Sequence, residues 1–266
     1  MASVVTDASQ PMTLFSIRDL SVDVPGRRLL EGISLDLPQG RVTGLIGHNG
    51  SGKSTLLKVL ARQIEARGAV AFEGRALAGW SARDYARRLA FLPQTTPPAE
   101  GMLVRELVEL GRYPWHGALG RFGQQDETVV ARAMAECGVE RFADRLVDTL
   151  SGGERQRVWL AMMVAQQAST LLLDEPISAL DIAHAVEVMR LVRTMCREEG
   201  RSVVVVLHEV NMAAQFCDHI VALKQGQVVL EGPPDELMTA ERLQQIYSVR
   251  MEVLHRADGQ RVAVPA

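Results

Sequence analysis

Residues 47–54 read GHNGSGKS, with the apolar run VTGLI before them and TLLKVLARQ after them. A strand that ends in glycine, a glycine-rich loop and a Lys-Ser pair opening a helix together meet the pattern G-x-x-x-x-G-K-[ST] in the context that pattern requires. Gly47, Gly50 and Gly52 allow the backbone N–H groups around Asn49 and Ser51 to wrap a chain of phosphates. Lys53 reaches the terminal phosphates as a point charge, and the Ser54 hydroxyl ligates Mg²⁺. Thr55 completes the phosphate-binding set, while His48 reads as a packing or surface variation inside the loop.

Three further apolar runs share the grammar of VTGLIG: LAFLPQ (89–94), TLLLDEP (170–176) and SVVVVLHE (202–209). Each is continuously apolar and stops abruptly at polar residues, as strands buried on both faces of a parallel sheet do. Helical patterns at GKSTLLKVLARQ and AHAVEVMRLVRTMCREEG are available to cover that sheet. Ligands of open parallel sheets bind beyond the carboxyl ends of the strands. The residues that end these runs are therefore candidate chemistry.

Asp174 ends a buried strand, where a carboxylate is costly without a cation or donors, which suits a Mg²⁺-side ligand. Glu175, one residue on, is placed to polarise an attacking water. His208 ends VVVVL at the same sheet edge, where it can donate to a γ-phosphate; a satisfied structural histidine is the alternative. Gln94, after FLP, can touch Mg²⁺ or the water.

A second anion site is written at Leu150–Arg157, LSGGERQR. Ser151 followed by Gly152, Gly153 and good helix formers opens a helix whose first N–H groups stand bare. This helix closes a stretch from 95 to 166 without strand signals. It holds VRELVELGRY, a Gly-, Trp- and Pro-containing segment and DETVVARAMAECGV, and reads as a helical subdomain inserted into an α/β core of residues 13–94 and 167–247. At the N-terminal end, LFSIRDLSVDV and LLEGISLDL flank Pro25 and Gly26 as an antiparallel hairpin-like region. Residues 1–12 read as a disordered leader, EGPPDELMTAERLQQIY as a turn and a short amphipathic helix, and 248–266 as a tail without strong signal.

Composition narrows the function classes. The 266 residues are 47% hydrophobic and 23% charged, an ordinary globular balance. A net charge of −3 and a pI near 6.1 carry no basic footprint, so no nucleic-acid partner is expected. Cys137, Cys196 and Cys217 are odd in number and far apart, which suits a reducing compartment and argues against zinc. No apolar run is long enough for a membrane-spanning helix, and the N-terminus lacks the build of a signal peptide.

Taken together, GHNGSGKST, FLPQ, LSGGERQR, LLLDEP, SALD (178–181) and LHE resemble the ATP-binding-cassette ATPases from Phe15 to about Tyr247. LSGGERQR is the discriminating motif. The resemblance implies a P-loop NTPase (RecA-like) α/β core with a mostly parallel sheet, an N-terminal antiparallel β region and an inserted α-helical subdomain, with ATP and Mg²⁺ as cofactors. It implies a head-to-tail dimer with a second copy, in which Ser151, Gly152 and Gly153 cap the partner's nucleotide and Asp181 spans the interface. By the same resemblance Glu175 is the catalytic base, His208 the switch histidine, and Gln94 the residue that couples nucleotide state to a partner.

More finely, residues 101–123, SALDIAHAVEVMRLV, HEVNMAAQFCD and EGPPDELM are similar to the ATPase subunits of bacterial ferric hydroxamate siderophore importers. That implies a peripheral place on the cytoplasmic face of the inner membrane, under two transmembrane permease subunits or one fused permease, with a periplasmic substrate-binding protein as indirect partner. Haem, cobalamin and other iron chelates stay open as cargo, and a non-transport cassette ATPase or a stand-alone P-loop kinase are the readings from other classes. Three positions depart from the family pattern. No aromatic residue is present in DVPGRRLL to stack on adenine, leaving Val24, Pro25 or Arg27; Ile177 follows DEP where Thr is common; and Glu209 follows the histidine where Asp is common. The aromatics Tyr113, Trp115 and Phe122 read either as a docking surface for a partner or as a core cluster.

Overall fold

The computed structural model describes residues 12–117, 120–257 and 259–266. The leader expected at 1–12 lies outside these residues apart from Met12.

β1 (Thr13–Val24) and β2 (Arg27–Pro38) form the expected antiparallel hairpin, turning at Pro25 and Gly26, where φ is +74°. Phe15 pairs with Leu37, Ile17 with Leu35, Leu20 with Ile33 and Val22 with Leu30, and all eight are buried. β4 (Arg67–Phe72) and β5 (Arg75–Ala76) extend this sheet in the order β2-β1-β4-β5.

The second sheet contains the four continuously apolar runs as β3 (Val42–Ile46), β6 (Leu89–Leu92), β7 (Thr170–Asp174) and β8 (Ser202–Val206), with β9 (His219–Lys224) and β10 (Gln227–Gly232) added. Its order is β10-β9-β3-β8-β7-β6; every pair is parallel except β10 on β9. Because side chains alternate across a strand, the sheet feeds two cores. Leu45, Leu172, Val204 and Val206 pack with the first hairpin and with Leu56, Leu57 and Leu60 of α1 (Lys53–Leu60). Ile46, Leu171, Leu173, Val203 and Val205 pack on the other side. There they meet Leu160 and Met163 of α6 (Gly152–Ala165), Val188 and Met189 of α7 (Ile182–Glu199) and Phe216 of α8 (Val210–Phe216).

Between β6 and β7 the described residues form no strand. They carry α3 (Val104–Glu109), α4 (Tyr113–His116) and α5 (Gln124–Glu136) ahead of α6, while α2 (Ala82–Arg88) precedes β6. Here the aromatic trio splits. Trp115 donates its ring N–H to the Gln166 carbonyl at 2.8 Å and lies under the guanidinium groups of Arg87 and Arg112, whereas Tyr113 and Phe122 face solvent. Arg112 is itself buried and satisfied by Asp126, the Ala165 carbonyl and Gln167.

After β10 the single amphipathic helix of the sequence reading is two, α9 (Pro234–Leu237) and α10 (Ala240–Tyr247), the second capped by Thr239. The tail contains a hairpin, β11 (Met251–His255) with β12 (Arg261–Pro265). Asn211 of α8 holds it: the side-chain amide donates to the Ala263 carbonyl at 2.9 Å and accepts from the Ala263 N–H at 2.8 Å. Among the described residues no helix is long and apolar enough to cross a membrane.

Candidate functional site

The loop from Gly47 to Ser54 joins the carboxyl end of β3 to α1. Glycine is obligatory at two of its positions. At Gly47, with φ +137°, a Cβ would stand 2.1 Å from the Leu223 carbonyl oxygen; at Gly52, with φ +106°, it would stand 2.5 Å from a Leu30 methyl. Lys53 is buried and folds back over the loop, its ammonium donating to the carbonyls of Gly47 and His48 at 2.9 Å each. Burial pulls its pKa below the ordinary lysine value, against the pull of Glu175 and Asp174. His48 points outward and meets the Tyr247 ring edge-on, a packing role as expected.

Ser54 donates its hydroxyl proton to Asp174 Oδ1 at 2.7 Å. Asp174 is 1% exposed, and its Oδ2 is buried without a hydrogen-bond partner. Desolvation pushes its pKa above the usual carboxylate range, opposed by the Ser54 bond and by Lys58 and Lys53. A buried carboxylate oxygen with no donor beside a serine hydroxyl fits a hard divalent cation that takes oxygen ligands. No cluster of three His, Cys, Asp or Glu side chains able to hold a metal occurs among the described residues, so water and phosphate oxygens would complete such a shell.

Glu175 is the next residue and sits at φ +53°, in the left-handed region that a non-glycine residue enters only where its surroundings impose it. The turn aims the carboxylate at the cleft. Gln94 donates its amide to Oε2 at 2.8 Å, and His208 places Nε2 2.6 Å from Oε1. Three residues that end three different strands therefore meet on one carboxylate. A cleft of about 340 Å³ brings together Asn49, Gly50, Gly52, Lys53, Ser54, Thr55, Gln94, Glu175 and His208. Arg27 and Leu29 also line it; of the three residues left for the base, Arg27 is the one that reaches it.

The residues of the second anion site stand at the start of α6, outside that cleft. Ser151 caps the helix in a reciprocal box with Glu154: its hydroxyl accepts from the Glu154 N–H at 3.3 Å, and Glu154 Oε2 accepts from the Ser151 N–H at 2.9 Å. Gly152 and Gly153 form the first turn. Asp181 caps α7, accepting from the His184 N–H at 2.9 Å. Thus one chain holds the cleft of the first cradle and, apart from it, a second helix start at which Ser151 and Gly152 are exposed and Gly153 is buried. Ile177 is half-buried against the core, and Glu209 precedes α8. The sequence reading did not single out His184, whose partner Gly153 lies far off along the chain.

The ABC transporter family matches residues 30–178, more than half of the chain. The iron(3+)-hydroxamate import ATP-binding protein of Bacillus subtilis (strain 168) is 39% identical over 244 residues, covering 91% of each chain. The hemin import ATP-binding protein of Streptomyces coelicolor is 43% identical over 92% of this chain and 88% of its own. Among solved structures, a chain of a metal-chelate type ABC transporter in an inward-facing conformation superposes with a TM-score of 0.84 at 23% identity, covering 96% of this chain and 98% of that one. A bacterial ABC transporter cassette solved as a dimer superposes at 0.73 with 26% identity, covering 83% and 98%. The chain belongs to the ABC transporter family. It is an ATP-binding, ATP-hydrolysing subunit of that family, built on the α/β cassette the sequence predicts.

Proposed function

We propose that this chain powers an importer for ferric hydroxamate siderophores, working as a head-to-tail pair of copies on the cytoplasmic face of a bacterial inner membrane. The observation that carries the catalytic part is the Glu175 carboxylate, held by Gln94 at 2.8 Å and His208 at 2.6 Å at the mouth of the cleft lined by Lys53 and Ser54. ATP and water become ADP and phosphate there. Lys53 and the loop amides hold the phosphates; Mg²⁺, when bound by Ser54, Asp174 and Gln94, neutralises charge on them. Gln94 and His208 each engage one Glu175 oxygen, fixing the carboxylate plane while each oxygen keeps a lone pair. A water there can pass its proton to Glu175, the general base.

In this reading Ser151, Gly152 and Gly153 of a second copy close the first cradle and add donors to its phosphates. The segment 95–166 transmits closure to two permease subunits or one fused permease, fed by a periplasmic substrate-binding protein; the exposed Tyr113 and Phe122 lie in it. The cargo rests on relatives' names, and the 43% identity to a hemin import protein favours haem as the second reading. Deleting the gene and supplying one iron-loaded hydroxamate or haem as the sole iron source separates the two. Uptake restored by the wild-type chain but not by Glu175→Gln supports the motor and names the cargo; hydroxamate uptake that never depended on the gene refutes that cargo.

A further inference from the structure

His184 makes two contacts whose combination ordinary packing does not require. Its imidazole Nδ1 lies 2.8 Å from Asp181 Oδ2, while its backbone N–H occupies Asp181 Oδ1 at 2.9 Å, so one residue engages both carboxylate oxygens. Capping needs only the backbone bond. These bonds hold Asp181 below the usual carboxylate range, the backbone bond first.

The Cδ2–Cγ side of the ring lies against the start of α6. A Cβ built on Gly153 would stand 2.8 Å from His184 Cδ2 and 2.9 Å from Cγ, so the imidazole occupies the space that any side chain at 153 would need. Gly153 is thus a glycine for close approach as well as for its place at the helix start. One turn further along, Arg157 Nη1 meets Glu187 Oε2 at 2.6 Å with Arg157 mostly buried. Gly153 and Arg157 are four apart on α6, His184 and Glu187 three apart on α7, and both pairs lie on matching helix faces. The two helices are joined at two successive levels, and the level nearer their N-termini is His184.

We propose that His184 is a positioning residue which yokes Gly153 of a protomer to Asp181 of the same protomer. Asp181 follows Glu175 by six residues on the segment leaving β7. The start of α6 therefore moves with the segment that leaves the protomer's own Glu175, and the cradle offered to a partner's nucleotide is set by the state of this protomer's site. This inference rests on the head-to-tail dimer of the proposed function.

The test uses the full chain carrying Glu175→Gln, with ATP and Mg²⁺, and reads the dimer dissociation constant by sedimentation and single-chain nucleotide affinity by fluorescent-ATP titration. His184→Asn keeps a donor for Asp181 but removes the ring from Gly153; His184→Phe keeps the ring but not the bond; His184→Ala removes both. A pair as exposed as His184 and Asp181 is worth about a factor of two to five in an equilibrium. Two yokes per dimer then weaken dimerisation by roughly four- to twenty-five-fold in His184→Phe, with nucleotide affinity and melting temperature near those of the parent. His184→Asn and His184→Ala are expected to weaken it as well. Dimers of His184→Ala at the parent's dissociation constant overturn the yoke and leave the dimer standing. Equal losses in nucleotide affinity or melting temperature overturn it as damage to the fold. If Glu175→Gln alone forms no dimer with ATP, the head-to-tail reading fails and the yoke with it.

Discussion

Asp174→Asn is expected to make the nucleotide-free protein more stable and Mg·ATP unable to stabilise it further. The buried carboxylate is met by one hydroxyl, and its second oxygen by nothing. Its folded pKa lies above the ordinary value, with burial the leading cause, so the ionised form costs stability above that folded pKa. The cost fades as pH falls through the folded pKa, and wild-type stability should rise over that interval until other carboxylates protonate. An amide keeps an acceptor for Ser54 and removes the charge, though it leaves a buried N–H₂ unpaired. A buried unsatisfied neutral group costs about 1–3 kcal/mol and a charged one more, which leaves a net gain on the order of 1 kcal/mol. For a chain of this size that is about 2–4 °C in melting temperature. Saturating the wild type at a hundredfold its Kd adds about 2.7 kcal/mol, or roughly 5–10 °C. Differential scanning fluorimetry with ATP plus chelator, and with ATP plus Mg²⁺, reads both effects. An Asp174→Asn protein that melts below wild type without nucleotide, yet gains the full Mg²⁺-dependent shift, would refute the assignment of the orphaned oxygen to a cation.

Lys53→Ala should abolish ATP binding by fluorescent-nucleotide titration while leaving the melting temperature near or above wild type, because a desolvated ammonium is lost with it. Ser151→Arg should spare single-chain ATP binding and reduce steady-state ATPase activity at least tenfold, since its own cradle is intact and the one it offers is blocked. Gly44→Ala should destabilise by about 1–3 kcal/mol in urea titration. Its Cβ would stand 2.8 Å from Cys217 Sγ, and a second change, Cys217→Ala, should recover most of the loss. The three thiols should resist a disulfide-exchange reagent until the chain unfolds, burial having raised the pKa of Cys196 to about 11 and of Cys137 to about 12.

What the sequence shows of this protein divides along physical lines. Gln94, Glu175 and His208 are far apart in the chain, yet each ends an apolar run, and the rule that parallel strands share a carboxyl edge brings them together before any coordinate is known. Their meeting on one carboxylate was not legible, since it depends on the turn at Glu175. β4 was missed because Phe72 is its one buried residue, and β11 because its side chains are half or fully exposed; neither leaves the alternation that a strand reading needs. Trp115 and Tyr113, two residues apart, read alike, and packing against Gln166 and two arginines separates them. Arg27 stood among three candidates, and of the three it is the one that lines the cleft. The nearness of His184 to Gly153 has no local signature at all, because steric exclusion between two helices leaves only a glycine as its trace.

The C-terminal ribbon has a consequence of its own. Two strands alone are marginal in water, and here the Asn211 amide stands in for a third strand one residue long. Asn211 lies three positions beyond His208, so opening of the ribbon frees the Asn211 side-chain amide at the start of the helix that His208 leads into. Hydrogen exchange at the Ala263 N–H should then follow release of the ribbon from Asn211, which makes the end of the chain a reporter on the start of the helix that follows His208.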